Sequence, residues 1–320
     1  MRTVAAAPAR LGPLSAALAL YVAATSGEAE VAAGRCGLSM VEEAGRQALL
    51  LVPQSFCGDG SVTAAGLVIA LHGLTGYPLE EVKKWESAAE ALGAVILAPA
   101  GIGQSWNGRD CCGEASARDL DDVSAVTRLA AAALTLLPGL GLSLGGATMT
   151  GFSNGGFLTS WAARTSVTRG WRPRAIAPIA GHIYDLPPPG AQAPTAVWLH
   201  HGRNDSMVRY SGCCAASDCC CGIGSRRPKC IGTDEHFSWW LRVNRCKEVQ
   251  QLPFSEVSSA ECLMGKGCLA ETRLCAYVGL GHIFAEWLPL ALETLRMLLV
   301  SGANCTSPQC LGVKVPSLES

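Results

Sequence analysis

Ala147-Thr148-Met149-Thr150-Gly151-Phe152-Ser153-Asn154-Gly155-Gly156-Phe157 is the stretch on which the reading of this chain turns. Residues 147–151 form a β-compatible run, and residues 155–166 read as a helix. Between them stands G-x-S-x-G, so Ser153 falls on the turn from strand to helix. Such a turn is sharp and strained. Gly151 and Gly155 leave room for the helix to pack against the strand it follows. The turn lifts the Ser153 hydroxyl above the sheet, and the helix N-terminus beneath it favours developing negative charge. The bland alternative is a glycine-rich turn without chemistry. The strand before and the helix after argue against it.

Working outward, strand-like and helix-like segments alternate. Residues 47–52, 66–71, 94–98, 175–179, 195–200 and 273–278 are apolar, strand-like runs. The run at 66–71 is continuously apolar, as expected of a strand buried on both faces. Helical spacing is read at 79–92, ending at Gly93, and at 116–137, with acids early to suit the helix dipole. Further helices are read at 234–245 and 285–300, the last broken by Glu293 and Arg296 and therefore core-facing. Repeated β–α alternation predicts an α/β fold: a mostly parallel central sheet flanked by helices.

Two further segments complete a reaction centre. Leu71-His72-Gly73-Leu74-Thr75-Gly76 closes a strand with a flexible loop, about where an α/β-hydrolase fold supplies one oxyanion-binding amide. Asn154 is the expected second donor, with Leu74 as its partner and Thr75 next in line. In this fold the acid and base follow the serine in the order Ser, acid, His. Asp205 lies in the loop after residues 195–200 and is the expected acid; Asp185 and Asp218 compete for the role. His282, on Gly279-Leu280-Gly281-His282 after the final strand, is the expected base. His236 is its rival but sits in a helical stretch with Trp239 and Trp240. His182, His200 and His201 precede Asp205, His72 precedes Ser153, and His72, His200 and His201 fit structural roles best. The expected reaction is acyl transfer: His282 deprotonates Ser153, Asp205 holds the ring, and water releases the acyl-enzyme. No metal or organic cofactor is expected.

Further motifs carry a resemblance. Leu71-His72-Gly73, Ser105-Trp106-Asn107, Cys111-Cys112-Gly113, Leu120-Asp121-Asp122-Val123, Gly151 to Gly156, His201-Gly202 with Asp205, Trp240 with Asn244, and Gly281-His282 run in order over roughly residues 45–285. Together they resemble the polyhydroxybutyrate depolymerase and feruloyl esterase family of secreted serine esterases. The resemblance implies an α/β-hydrolase fold acting on extracellular esters. Its substrates would be feruloyl or acetyl esters of plant or algal polysaccharides, or polyhydroxyalkanoate-type polyesters. It also implies that Trp106 contributes to substrate binding, with a core or turn aromatic as the alternative. Asp121 and Asp122 read as helix-start residues bonding a loop. The segment 212–230, with Cys213, Cys214, Cys219, Cys220, Cys221 and Cys230, is richer in cysteine than the family pattern. It reads as a disulfide-stapled insertion that could narrow the pocket, with tetrahedral zinc as the alternative. Cys305 and Cys310 are expected to pin the tail similarly.

Composition bounds the remaining possibilities. Charged residues make up 16% of the 320 and the net charge is −1, so nothing electrostatic points to nucleic acid or an anionic membrane. The 49% hydrophobic content supports one large catalytic domain, residues 34–320. Residues 1–33 carry Arg2 and Arg10, an apolar run at 14–24 and Val31-Ala32-Ala33, the parts of a secretory signal peptide. An organelle transit peptide is the alternative, since no acid precedes Glu28. The apolar run is shorter than a membrane span needs. All 16 cysteines follow residue 35, and an even count in an exported chain points to disulfides. A secreted monomer is the expectation. Rival readings are a non-catalytic binding protein of the same fold, or an acyltransferase or peptidase using the same three residues.

Overall fold

A computed structural model describes residues 36–56, 64–109, 111–165, 171–181, 183, 186–212, 231–253, 259–282 and 287–302. The expected leader at 1–33, residues 213–230 of the cysteine-rich insertion, Cys305, Cys310, His182, Asp185 and Asp218 lie outside the described residues.

Ten strands form one sheet: β1 (Gly37–Glu43), β2 (Arg46–Val52), β3 (Gly66–Leu71), β4 (Ala94–Pro99), β5 (Thr148–Phe152), β6 (Ala175–Ile179), β7 (Ala196–Gly202), β8 (Glu248–Gln251), β9 (Ala260–Lys266) and β10 (Thr272–Tyr277). Their spatial order is β1-β2-β4-β3-β5-β6-β7-β10-β9-β8. From β4 through β10 neighbours pair in parallel, and at both edges they pair antiparallel. Among the described residues the α-helices are α1 (Pro78–Leu92), α2 (Gly113–Ala117), α3 (Asp122–Thr135), α4 (Asn154–Thr165), α5 (Thr233–Val243) and α6 (Trp287–Gly302). This is the α/β architecture expected from the alternating segments.

The parallel strands are mostly apolar and buried, as expected where helices cover both faces. Leu67, Val68, Ile69, Ala70 and Leu71 of β3 are buried, as is every residue of β4. α1 begins with Pro78 in its first turn and stops at Gly93, whose left-handed backbone lets its N–H cap Ala89. α6 buries Leu290, Ala291, Leu295 and Leu298, so its apolar face belongs to the core. None of the described helices is long and apolar enough to cross a membrane.

One predicted helix is corrected. Residues 116–137 do not form a continuous helix: the chain makes the short α2, turns at residues 118–121, and starts again at α3. The physical reason is Asp121, whose carboxylate caps α3 by accepting from the Ser124 amide at 3.1 Å. Asp122 accepts from the Asn107 amide at 2.7 Å and pairs with Arg46 at 2.8 Å. These are the loop-bonding roles expected of Asp121 and Asp122.

Register positions the site. Leu71 of β3 stands beside Gly151 of β5, and Gly202 of β7 beside Tyr277 of β10. The loops after these four strands therefore leave the same edge of the sheet, the carboxyl edge where open α/β sheets bind ligands.

Candidate active site

Ser153 leaves β5 with φ 53°, a left-handed conformation that a β-carbon disfavours. The turn is held on both sides. The Ser153 amide donates to the Ile179 carbonyl at 2.8 Å, and its own carbonyl accepts from Phe157 at 3.0 Å to begin α4. A β-carbon on Gly151 would lie 2.5 Å from the Gly155 carbonyl group, and one on Gly155 would lie 2.5 Å from the Leu71 carbonyl oxygen. Both neighbours are backbone and cannot swing aside, so the helix can approach β5 and β3 only because these positions lack side chains.

Asp205 and His282 come to Ser153 from the neighbouring loops. The Arg203 amide donates to Tyr277 at 3.0 Å and the Asn204 amide to Leu280 at 2.9 Å, which lashes the loop after β7 to the loop after β10. Asp205 is buried and turns its Oδ1 onto the amides of Met207 at 2.9 Å and Val208 at 2.7 Å. Its Oδ2 lies 2.7 Å from His282 Nδ1, and His282 Nε2 lies 2.9 Å from Ser153 Oγ. Burial by itself would push the Asp205 carboxyl up. Hydrogen bonds from His201, His282 and the Val208 amide, with the attraction of the His282 imidazole when it is protonated, outweigh burial and hold it below its ordinary value. Asp205 is therefore an ionised acceptor, so the His282 proton sits on Nδ1 and Nε2 offers its lone pair to the Ser153 hydroxyl. The Phe152 ring lies 4.9 Å from the His282 ring and supports it from the strand side.

The two expected oxyanion amides stand at the first turn of α4 and in the turn after β3. Asn154 opens α4, so its amide has no acceptor within the helix. Leu74 and Thr75 occupy the turn closed by the Gly76 amide on the Gly73 carbonyl at 3.0 Å. The Thr75 amide already donates to Gln104 at 2.9 Å, so it is engaged, whereas the Leu74 amide has no partner among the described residues. Leu74, the first-ranked donor, is the one left available.

Trp106 is a correction. It was expected to contribute to substrate binding, but it is fully buried and belongs to the hydrophobic core. Its indole N–H donates to the His72 carbonyl at 2.9 Å, and its amide donates to Asn154 Oδ1 at 2.6 Å. Asn154 Nδ2 returns a bond to the Trp106 carbonyl at 3.0 Å and approaches Cys112 Sγ at 3.6 Å. Trp106 thus ties the Leu74 loop to the serine turn from within.

His72, His200 and His236 fill structural positions. His72 Nδ1 donates to the Gly73 carbonyl at 2.7 Å, while Nε2 accepts from Gly101 at 3.0 Å, which requires a neutral ring. Burial lowers its pKa to about 4, with a small contribution from Lys84. His200 lies between Tyr277 and Thr294, and burial lowers its pKa to about 3. His236, the rival base, accepts from Trp240 within α5 at 3.0 Å, and burial lowers it to about 3.

Among the described residues Cys111–Cys112, Cys246–Cys268 and Cys262–Cys275 are disulfides. Cys262 and Cys275 stand opposite each other in the β9–β10 register. The pairing of adjacent Cys111 and Cys112 carried no advance signal beyond their being neighbours.

Solved structures share this arrangement of strands and helices. The chain is similar to an acetyl xylan esterase from Aspergillus awamori, at 13% identity and a TM-score of 0.54 over 83% of this chain and 99% of that one. It is similar to an S-formylglutathione hydrolase from Agrobacterium tumefaciens, at 13% identity and a TM-score of 0.51 over 87% of this chain and 99% of that one. The fold is that of the α/β hydrolases. A third α/β-hydrolase likeness is poly(aspartic acid) hydrolase-1 from Sphingomonas sp. KT-1, at 12% identity and a TM-score of 0.52 over 81% of this chain and 98% of that one. No family model and no curated protein matches the chain. At these identities the likeness establishes the α/β-hydrolase fold, and the activity has to be argued from the residues.

Proposed function

We propose that this protein is a serine esterase hydrolysing carboxylic esters, with Ser153 as nucleophile, His282 as general base and Asp205 as the orienting acid. The observation that carries the reading is the unbroken line from Asp205 Oδ2 to His282 Nδ1 at 2.7 Å and from His282 Nε2 to Ser153 Oγ at 2.9 Å. His282 Nε2 takes the hydroxyl proton as Ser153 Oγ attacks the ester carbonyl. The carbonyl oxygen becomes an oxyanion facing the Asn154 and Leu74 amides. Collapse expels the alcohol, which receives the proton from His282 and leaves an acyl-Ser153. Water, deprotonated by the same nitrogen, then releases the acid. Asp205 stays ionised throughout and stabilises the imidazolium.

Feruloyl or acetyl esters of plant or algal polysaccharide, or polyhydroxyalkanoate-type esters, are the proposed substrates, and the protein is proposed to act outside the cell as a monomer. The order of motifs from Leu71 to His282 and the disulfides support this placement, since disulfides persist in oxidising compartments. A fluorophosphonate probe tests the nucleophile. Stoichiometric loss of activity with the phosphonyl group on Ser153 by peptide mass spectrometry is the expected result. Labelling elsewhere, or none on active protein, would overturn the assignment.

A further inference from the structure

Asp205 touches two imidazoles. Besides His282, His201 Nε2 lies 3.4 Å from the same oxygen, Oδ2. His201 is the penultimate residue of β7 and is 2% exposed, with its ring edge-on to Tyr210. Its Nε2 also lies 2.7 Å from the Val208 carbonyl. A carbonyl only accepts, so Nε2 must carry a proton. The Val208 carbonyl takes that proton at 2.7 Å, and Asp205 Oδ2 stands 3.4 Å from the same nitrogen. Val208 closes the circuit, because its amide donates to Asp205 Oδ1 at 2.7 Å.

We propose that His201 is a positioning residue for the reaction: its Nε2–H locks the 205–208 turn and faces Asp205 Oδ2, so that the carboxylate stays charged and keeps its remaining lone pair on His282. Without that donor the carboxylate would have two backbone amides on Oδ1 and only the moving imidazole of His282 on Oδ2. The Oδ2 direction would then be set by His282 alone, the group that Asp205 has to orient. The contact is also among those that hold the Asp205 carboxyl below its ordinary value against the upward push of burial. Sequence order ruled His201 out as the base because it precedes Asp205.

The inference rests on the serine-esterase reading. The test compares wild type, Ser153→Ala, His201→Leu and His201→Gln on p-nitrophenyl acetate, with melting temperatures taken alongside. Glutamine can place an amide N–H where His Nε2–H stands, whereas leucine fills the space without a donor. The expected result is that His201→Leu lowers kcat by about ten- to a hundred-fold with KM changed less than about two-fold, since a lost charge-assisted donor is worth that much. His201→Gln should return kcat to within about three-fold of wild type. Unchanged kcat in folded His201→Leu, or no recovery in folded His201→Gln, would overturn the proposal. Should the variants not fold, 15N NMR of histidine-labelled wild type reads the same point: a proton on His201 Nε2 at neutral pH is expected, and its absence refutes the geometry. Wild-type activity that survives Ser153→Ala would sink the esterase reading instead, a separate outcome.

Discussion

Replacing Asp205 with Asn changes one atom in size and everything in function. The two amides of Met207 and Val208, at 2.9 and 2.7 Å, both donate to Oδ1 and need an acceptor there. The asparagine oxygen must therefore keep that position, and its NH2 group is forced to face His282 Nδ1. Two donors cannot share a 2.7 Å contact, so His282 gives up its Nδ1 proton and carries it on Nε2 instead. Nε2 then has no lone pair for the Ser153 hydroxyl, 2.9 Å away. The same NH2 also meets the His201 Nε2–H, whose nitrogen stands 3.4 Å from Oδ2. A wrong tautomer plus a lost charge lowers kcat by about 10⁴-fold in triads of this kind, or about 5.5 kcal/mol in the barrier. Burst kinetics with p-nitrophenyl acetate, at matched folded fraction by circular dichroism, measure it. An Asp205→Asn protein within ten-fold of wild-type kcat would refute the orientation argument and move the acid role to Asp185 or elsewhere.

Other consequences follow from the same contacts. His72, His200 and His236 are held neutral at about 4, 3 and 3, below the unfolded value. Because these folded pKa values are depressed, the unfolded chain takes up protons first, and stability falls as pH drops from about 6.5 towards 4. Each such histidine removes about 2 kcal/mol between pH 7 and pH 5. Urea unfolding at both pH values should show it, and His200→Gln should shrink the pH 7-to-5 difference by about that amount; an unchanged difference would contradict the buried neutral ring. Asn154→Ala leaves the Trp106 amide and carbonyl unpaired. It should lower stability by about 2–3 kcal/mol and kcat by at least about ten-fold, read by thermal melting and ester turnover.

The centre of the molecule was legible because its signals are strong and local. β3, β4 and β6 are almost wholly buried and appear as unbroken apolar runs, while β5, β7 and β10 are buried but carry a few polar residues such as Thr150, His200 and Thr272. The serine turn announces itself because only small residues satisfy the close approach at Gly151 and Gly155. The edges were not legible. β8 reads Glu-Val-Gln-Gln with every residue exposed, and β1 and β9 mix charged and apolar residues without a clean alternation. Edge strands take their identity from pairing with a neighbour, which a single sequence does not display. The break before α3 was missed because the early acids suit the dipole of one long helix, while the cap at Asp121 is a matter of one side-chain bond. Trp106 was misplaced for a related reason. A tryptophan near a reactive serine can face the pocket or the core, and only the carbonyl of His72 and the side chain of Asn154 decide which.

The most direct test of the serine-esterase account is ester turnover by wild type beside Ser153→Ala. The panel is p-nitrophenyl acetate, methyl ferulate, acetylated xylan and a hydroxybutyrate oligomer, assayed with the protein oxidised and folded. The account predicts hydrolysis of at least one ester by wild type and a fall of about 10⁴-fold or more in Ser153→Ala. Equal turnover by the two proteins, or none by wild type on any ester, would contradict it.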